Sequence, residues 1–276
     1  MRGLFLVLFL LSNLFAFRFD ISNSEIKNGQ TALIKFAKEE GVEFKYIKIK
    51  DKTYEIFSNY AYVPISYYEK PQTLKVYVHY TKNKKPESKL LFFKVVDGKY
   101  QKETLSVDNS KVKLSQKDKK RAAKEYVEAM DIYNSTTSKS FIDSDFIMPL
   151  NSKITSDFGR ARIFNGTLKS YHSGTDFRAK VGTPIKCVND GKVVLVKDRF
   201  YSGGSIIVDH GQGVYTCYYH MSKFDVKKNE LVKKGQLLGL SGASGRVTGP
   251  HLHFSARVNG VQVDPLQFIE LINKEL

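Results

Sequence analysis

From about Phe17 to Val112 apolar and polar residues alternate with a period of two. Thr73–Tyr80 puts Leu74, Val76, Val78 and Tyr80 on one face and Lys75, Tyr77 and His79 on the other, and Glu43–Lys50 and Lys89–Val96 repeat the pattern. Such alternation marks half-buried strands, because successive side chains point to opposite faces. Asn83, Pro86 and Asp97-Gly98 punctuate the runs, so residues 17–113 are predicted to form a small β-sandwich-like domain. The period changes at Leu114. Ser115, with Asp118 three residues on, resembles a capping box, and Ala122, Tyr126, Met130 and Tyr133 then recur at helical spacing. A helix is expected, its apolar stripe laid on a domain, followed by the polar stretch 134–140; residues 114–145 are read as helix and linker. From 146 to 276 a glycine-dense β pattern returns. Gly191–Val196, Gly204–Asp209, Val214–Tyr219 and His251–Val258 read as strands, and Lys234-Gly235 and Asn259-Gly260 as tight turns. The fold class is mainly β.

The first residues depart from this pattern. Met1-Arg2-Gly3, the apolar run Leu4–Leu11 and the segment ending at Ala16 read as a signal peptide over 1–16, too short for a stable transmembrane helix. Export to the periplasm is the expectation, with an uncleaved anchor as its rival. The formal net charge is +16. From Phe146 onward 18 Lys and Arg face 10 Asp and Glu, and before it 26 face 18, so each part carries +8. Charge spread in this way forms no basic block for nucleic acid; it suits diffuse attraction to an anionic wall polymer or membrane surface. Cys187 and Cys217 fall among apolar or small residues in β segments and read as buried thiols rather than a disulfide.

Candidate chemistry is concentrated in the second half. His251-Leu252-His253 follows the turn Ser241-Gly-Ala-Ser-Gly-Arg-Val-Thr-Gly-Pro250, and in a strand both imidazoles share a face. His172 and Asp176 are spaced HxxxD; on an extended segment they too share a face and offer zinc a nitrogen and an oxygen. His253 is the natural third ligand, leaving a position for water, as catalytic zinc sites do. His220, ending the strand that begins at Tyr215, reaches the same groove. An imidazole there can take a proton from the attacking water, and a second can hold the oxyanion or protonate a leaving amine.

These residues resemble the lysostaphin-type zinc metallopeptidases, including the LytM and cell-shape endopeptidases, over about 149–268. The segments agree in order: Thr155-Ser-Asp-Phe-Gly-Arg-Ala-Arg162, His172-Ser-Gly-Thr-Asp176, Gly182-Thr-Pro-Ile185, Asp190-Gly-Lys-Val193, Tyr218-Tyr-His220-Met, and Gly245-Arg-Val-Thr-Gly-Pro-His-Leu-His-Phe254. The resemblance implies an antiparallel β-sheet peptidase domain over 146–276. It implies one zinc ion held by His172, Asp176 and His253, with His220 and His251 as the catalytic pair. Arg162 is expected to hold a substrate carboxylate or shape the groove, and His210 to be structural or groove-lining. The implied activity is hydrolysis of peptidoglycan peptide crosslinks in wall remodelling and cell shape. The favoured bond is D-Ala–diaminopimelate, with D,D-carboxypeptidase activity beside it. The alternatives are a glycyl-glycine endopeptidase or a non-enzymatic activator of other wall hydrolases. The helix at 115–133 or the first domain is expected to restrain the peptidase.

Overall fold

The structure, a computed structural model, describes residues 19–22, 25–166 and 168–276. The segment read as a signal peptide lies outside them. The first unit is a sandwich. One sheet holds Phe19–Ile21, Thr31–Phe36 and Tyr60–Pro64; the other holds Glu25–Lys27, Lys85–Val96, Gln72–Lys82, Val42–Ile49 and Lys52–Glu55. The alternation in Gln72–Lys82 works as expected: Leu74, Val76, Val78 and Tyr80 are buried against Ile34, Ala61 and Val63 of the facing sheet. Its hairpin with Lys85–Val96 turns at Asn83 and Lys84, both at positive φ (49° and 66°), the geometry whose twist suits a two-residue hairpin.

The smaller sheet is buried on both sides. Ala32, Ile34 and Phe36 face the sandwich interior, whereas Leu33 and Tyr62 join the core of the second unit. There Tyr62 meets Phe268 edge-on at 6.1 Å, and the Gln267 side chain bonds both backbone groups of Thr31 at 2.9 Å. Burying large side chains of this kind contributes roughly 1.5–3 kcal/mol each, so the two units are fused through a common core.

The second unit is built on an antiparallel sheet ordered Ile154–Ser156, Thr175–Arg178, His251–Val258, Val214–Phe224, Gly203–Asp209, Gly191–Arg199 and Leu231–Val232. Leu252, Phe254, Ala256, Tyr218, Ile206 and Val208 point to one face and pack on the terminal helix Pro265–Glu275. The opposite face carries His251 and His253, and beyond them Cys217, Tyr215, Ile207 and Leu195, which the helix Gln116–Tyr133 covers. The two cysteines therefore lie under opposite faces, both buried and both free.

Ser115 caps that helix: its Oγ accepts from Asp118 N at 3.1 Å. The buried stripe is Glu125, Ala129 and Tyr133, however, and Tyr126, expected in the stripe, is 63% exposed. Glu125 takes the inward place because its carboxylate is satisfied there, accepting from Phe200 N (2.8 Å) and Arg121 Nε (2.7 Å). An apolar-only pattern cannot register such a residue. Between sandwich and helix the chain adds a further strand: Lys102–Leu105 pairs in parallel with Ala161–Phe164, which pairs in turn with Leu168–Tyr171.

His210 pins the core. Its Nδ1 donates to Asp190 O and its Nε2 accepts from Thr216 Oγ1, both at 2.7 Å, and burial pushes its pKa from 6.5 down to about 4. The unfolded chain takes up a proton that the fold resists. The resulting stability is complete above pH 6.5 and is lost as pH falls towards 4, an effect of about 3 kcal/mol. Urea unfolding across this range is expected to show a flatter pH dependence for His210→Gln, by close to one proton's worth of slope; identical slopes would contradict the assignment.

Candidate metal centre

The site is assembled by strand register. Thr175–Arg178 pairs with His251–Val258 so that Asp176 stands directly opposite His253. Opposed residues of an antiparallel pair share a face with Cβ atoms about 4.5–5.5 Å apart, close enough for both side chains to meet. His172 arrives differently from the expected extended run. It follows the strand Leu168–Tyr171, and the chain bends at Ser173 and Gly174 before Asp176. Gly174 is required there: a Cβ would lie 2.4 Å from Phe254 O and 2.6 Å from His253 Nε2. The bend folds His172 back over the Asp176–His253 pair.

Three atoms converge. His172 Nε2 and His253 Nδ1 each lie 2.8 Å from Asp176 Oδ1 and 3.0 Å from one another. The outer contacts fix which atoms face inward. His172 Nδ1 is 2.7 Å from Asp157 O, which can only accept, so the ring proton sits on Nδ1 and Nε2 turns a lone pair towards the carboxylate. Burial pushes His253 down to about 4, so it is neutral near pH 7. Two imidazole nitrogens and a carboxylate oxygen converging on one point make a donor set that a cation satisfies. Two nitrogens and one oxygen are the ligand types of zinc, and three protein ligands are the catalytic pattern.

His220 and His251 flank this triangle, their rings 4.8 Å apart. His220 Nδ1 donates to Ser244 O and His251 Nδ1 to Gly249 O, both at 2.8 Å, which leaves each Nε2 able to accept. His251 Nε2 is 3.6 Å from Asp176 Oδ1. His220 adopts φ +63°, an unfavourable conformation for a residue with a Cβ, and its strand continues past it to Phe224 instead of ending there. Burial, and then the neighbouring His251 and His253, hold its pKa well below 6.5.

Arg162 is drawn into the site by two acids: Nε reaches Glu103 Oε1 at 2.6 Å and Nη2 reaches Asp176 Oδ2 at 3.1 Å. Its guanidinium is thus paired within the protein, and it lines the groove. His210 lies in the core, away from the groove, so its place is structural. Two contributors were not singled out in the sequence. Glu103 arrives on the added strand Lys102–Leu105. Tyr219 lies parallel to His253 (5.6 Å, 9°) and shares a 2.9 Å hydrogen bond with Tyr133 of the helix. Cross-strand register with His253 could have indicated Tyr219; no local signal marks Glu103. Cavities of about 280 and 150 Å³ open at the centre and have Arg162, Phe164, His220 and Arg246 in common. The helix lines neither, whereas Glu103, Leu105 and Val107 line the larger.

Comparison with known proteins agrees with this geometry. The sequence model of peptidase family M23 matches residues 170–265. The chain is 42% identical over 122 residues to peptidoglycan DD-endopeptidase ShyA of Vibrio cholerae, covering 43% of this chain and 28% of that protein. It is 38% identical over 95 residues to the DD-carboxypeptidase/endopeptidase Mpg of Neisseria meningitidis, covering 34% of this chain and 22% of that protein. The chain thus spans less than a third of the length of these curated relatives. A Pseudomonas aeruginosa crystal structure assigned to peptidase M23 aligns with a TM-score of 0.67 at 27% identity, over 88% of this chain and 93% of that one.

Removing a donor should dismantle the centre. His172→Ala and Asp176→Ala are expected to abolish stoichiometric zinc, measured by elemental analysis after dialysis, whereas His220→Ala and His251→Ala keep one equivalent. Full zinc content in Asp176→Ala would exclude this ligand set.

Proposed function

We propose, from the premise that the chain belongs to peptidase family M23 through residues 170–265, that it is a zinc-dependent peptidoglycan hydrolase. Its substrate is the D-Ala–diaminopimelate crosslink, with D,D-carboxypeptidase activity beside it, in wall remodelling and cell shape. The observation that carries the reading is the converging donor triangle with two acceptor imidazoles beside it in one groove. The relatives named for DD-endopeptidase and DD-carboxypeptidase activity support the choice of bond. A 41% identity over 105 residues to the glycyl-glycine endopeptidase ALE-1 of Staphylococcus capitis makes the glycine bridge the rival substrate. A non-enzymatic activator is disfavoured because all five site residues are present.

Zinc held by His172, Asp176 and His253 would supply a Lewis acid that polarises the scissile carbonyl and brings the pKa of water towards ~7. The protein's own groups do the rest. His220 and His251 each have Nδ1 committed to a backbone carbonyl, so proton traffic is confined to Nε2. One Nε2 takes the proton of the attacking water and returns it to the departing amine, while the other imidazole, when protonated at Nε2 as well, donates a hydrogen bond to the oxygen that gains charge. Arg162 and Glu103 hold Asp176 in orientation. We place the protein in the periplasm, exported by its first 16 residues, with its basic charge favouring the anionic wall.

Digestion of diaminopimelate-type peptidoglycan, read by mass spectrometry, should convert crosslinked dimers to monomers and should stop on chelation. His220→Ala or His251→Ala should lose about 10²–10⁴-fold in kcat while retaining zinc; normal turnover in both would refute the pairing. The working His220 must be neutral, and its pKa is held below 6.5. The acid limb of kcat/KM is therefore expected to fall below pH 6.5. A midpoint above that value would rule out His220 as the group that titrates.

A further inference from the structure

The loop between Gly242 and Pro250 carries an arginine that the chemistry above leaves unused. The Arg246 guanidinium lies between two rings, 4.2 Å from the centroid of Phe164 and 4.5 Å from that of Tyr201. Its backbone is fixed, since Arg246 N donates to Tyr201 O at 2.8 Å. Gly245, at φ +83°, packs so closely on the neighbouring loop that a Cβ would lie 2.4 Å from Gly203 N. Contact with two ring faces restrains the guanidinium, and its N–H groups suit bidentate contact with a carboxylate.

No carboxylate of the protein is paired with those groups. Among the described residues Arg246 makes no ion pair and no side-chain hydrogen bond, whereas Arg162 is neutralised by Glu103 and Asp176. Holding a partly buried cation beside Arg162 without a counter-charge is unfavourable, and burial followed by the Arg162 charge depresses the pKa of Arg246. An anionic partner from outside would relieve both costs. Its position is set by the groove: the two cavities have Arg162, Phe164, His220 and Arg246 in common, and Arg246 shares their lining with Asp176, His172, His251 and His253.

We propose that Arg246 is a specificity residue that binds a carboxylate on the carbon bearing the scissile nitrogen; the inference rests on the peptidase reading of this site. In a D-Ala–diaminopimelate crosslink the carbon attached to the cleaved nitrogen carries a carboxylate. A terminal D-alanine has the same arrangement. A glycine inside a bridge does not. One contact thus serves endopeptidase and carboxypeptidase cleavage alike and selects against glycine bridges.

The test uses the zinc-loaded full chain and two crosslinked dimers, one with that carboxylate free and one with it converted to the carboxamide. The wild type should favour the free acid by about 10–100-fold in kcat/KM, the worth of one hydrogen bond to a charged group. Arg246→Gln should cleave both dimers at the wild-type rate for the carboxamide, and Arg246→Lys, which keeps charge without the planar fork, should retain part of the preference. Thermal melting matched to wild type establishes that the variants fold. Calorimetric binding of both dimers to His251→Ala, with and without Arg246→Gln, reads the same preference without turnover. Equal discrimination in the presence and absence of Arg246 overturns the proposal. If the wild type cleaves neither dimer, the peptidase reading fails, and the binding comparison alone decides whether Arg246 reads the carboxylate.

Discussion

The site depends on one cross-strand pair, Asp176 opposite His253. Asp176 Oδ1 lies 2.8 Å from an imidazole nitrogen of both His172 and His253, and its other oxygen is taken by Arg162. Placing these groups together under burial is costly unless their lone pairs are satisfied. The surroundings are arranged to hold them there. Asp157 O orients one imidazole, Tyr219 backs the other, and Gly174 keeps the bend tight enough for His172 to close the triangle. A register slip of one residue would turn His253 to the opposite face and leave Asp176 without its partner.

The sheet divides its labour by face. One face is a conventional core packed on the terminal helix and extended by Leu33 and Tyr62 of the sandwich. The other is half covered by the helix Gln116–Tyr133, and its remaining half is the groove. That helix also backs the site, since Tyr133 bonds the OH of Tyr219, whose ring lies against His253. From the first half of the chain, the strand Lys102–Leu105 and Val107 beyond it reach the groove, and the strand delivers Glu103 to Arg162.

A single loop governs the other side of the groove. Ser244 accepts the Nδ1 proton of His220 through its carbonyl, and its hydroxyl accepts from Gly204 N and donates to Met221 O. Gly249 does for His251 what Ser244 does for His220. Arg246 lies between them on the same loop, so the orientation of both imidazoles and the placement of the free guanidinium are mechanically linked.

The sequence by itself determined the mainly β class, the capped helix from Ser115, the five site residues as a set and the resemblance that joins them. Period-two alternation, helix caps and short motifs are local, and local chemistry is legible along a chain. What only the tertiary structure decided was long-range. Glu125 faces inward because a backbone N–H 75 residues away meets it, and the inner sandwich sheet is buried on both faces because a second unit packs on it. The same holds for charge. Nothing in the order of residues shows that Arg162 is paired with acids and Arg246 is not. Folding gives the first two carboxylates and the second two aromatic faces, because electrostatic partnership is set by distance in space and not along the chain.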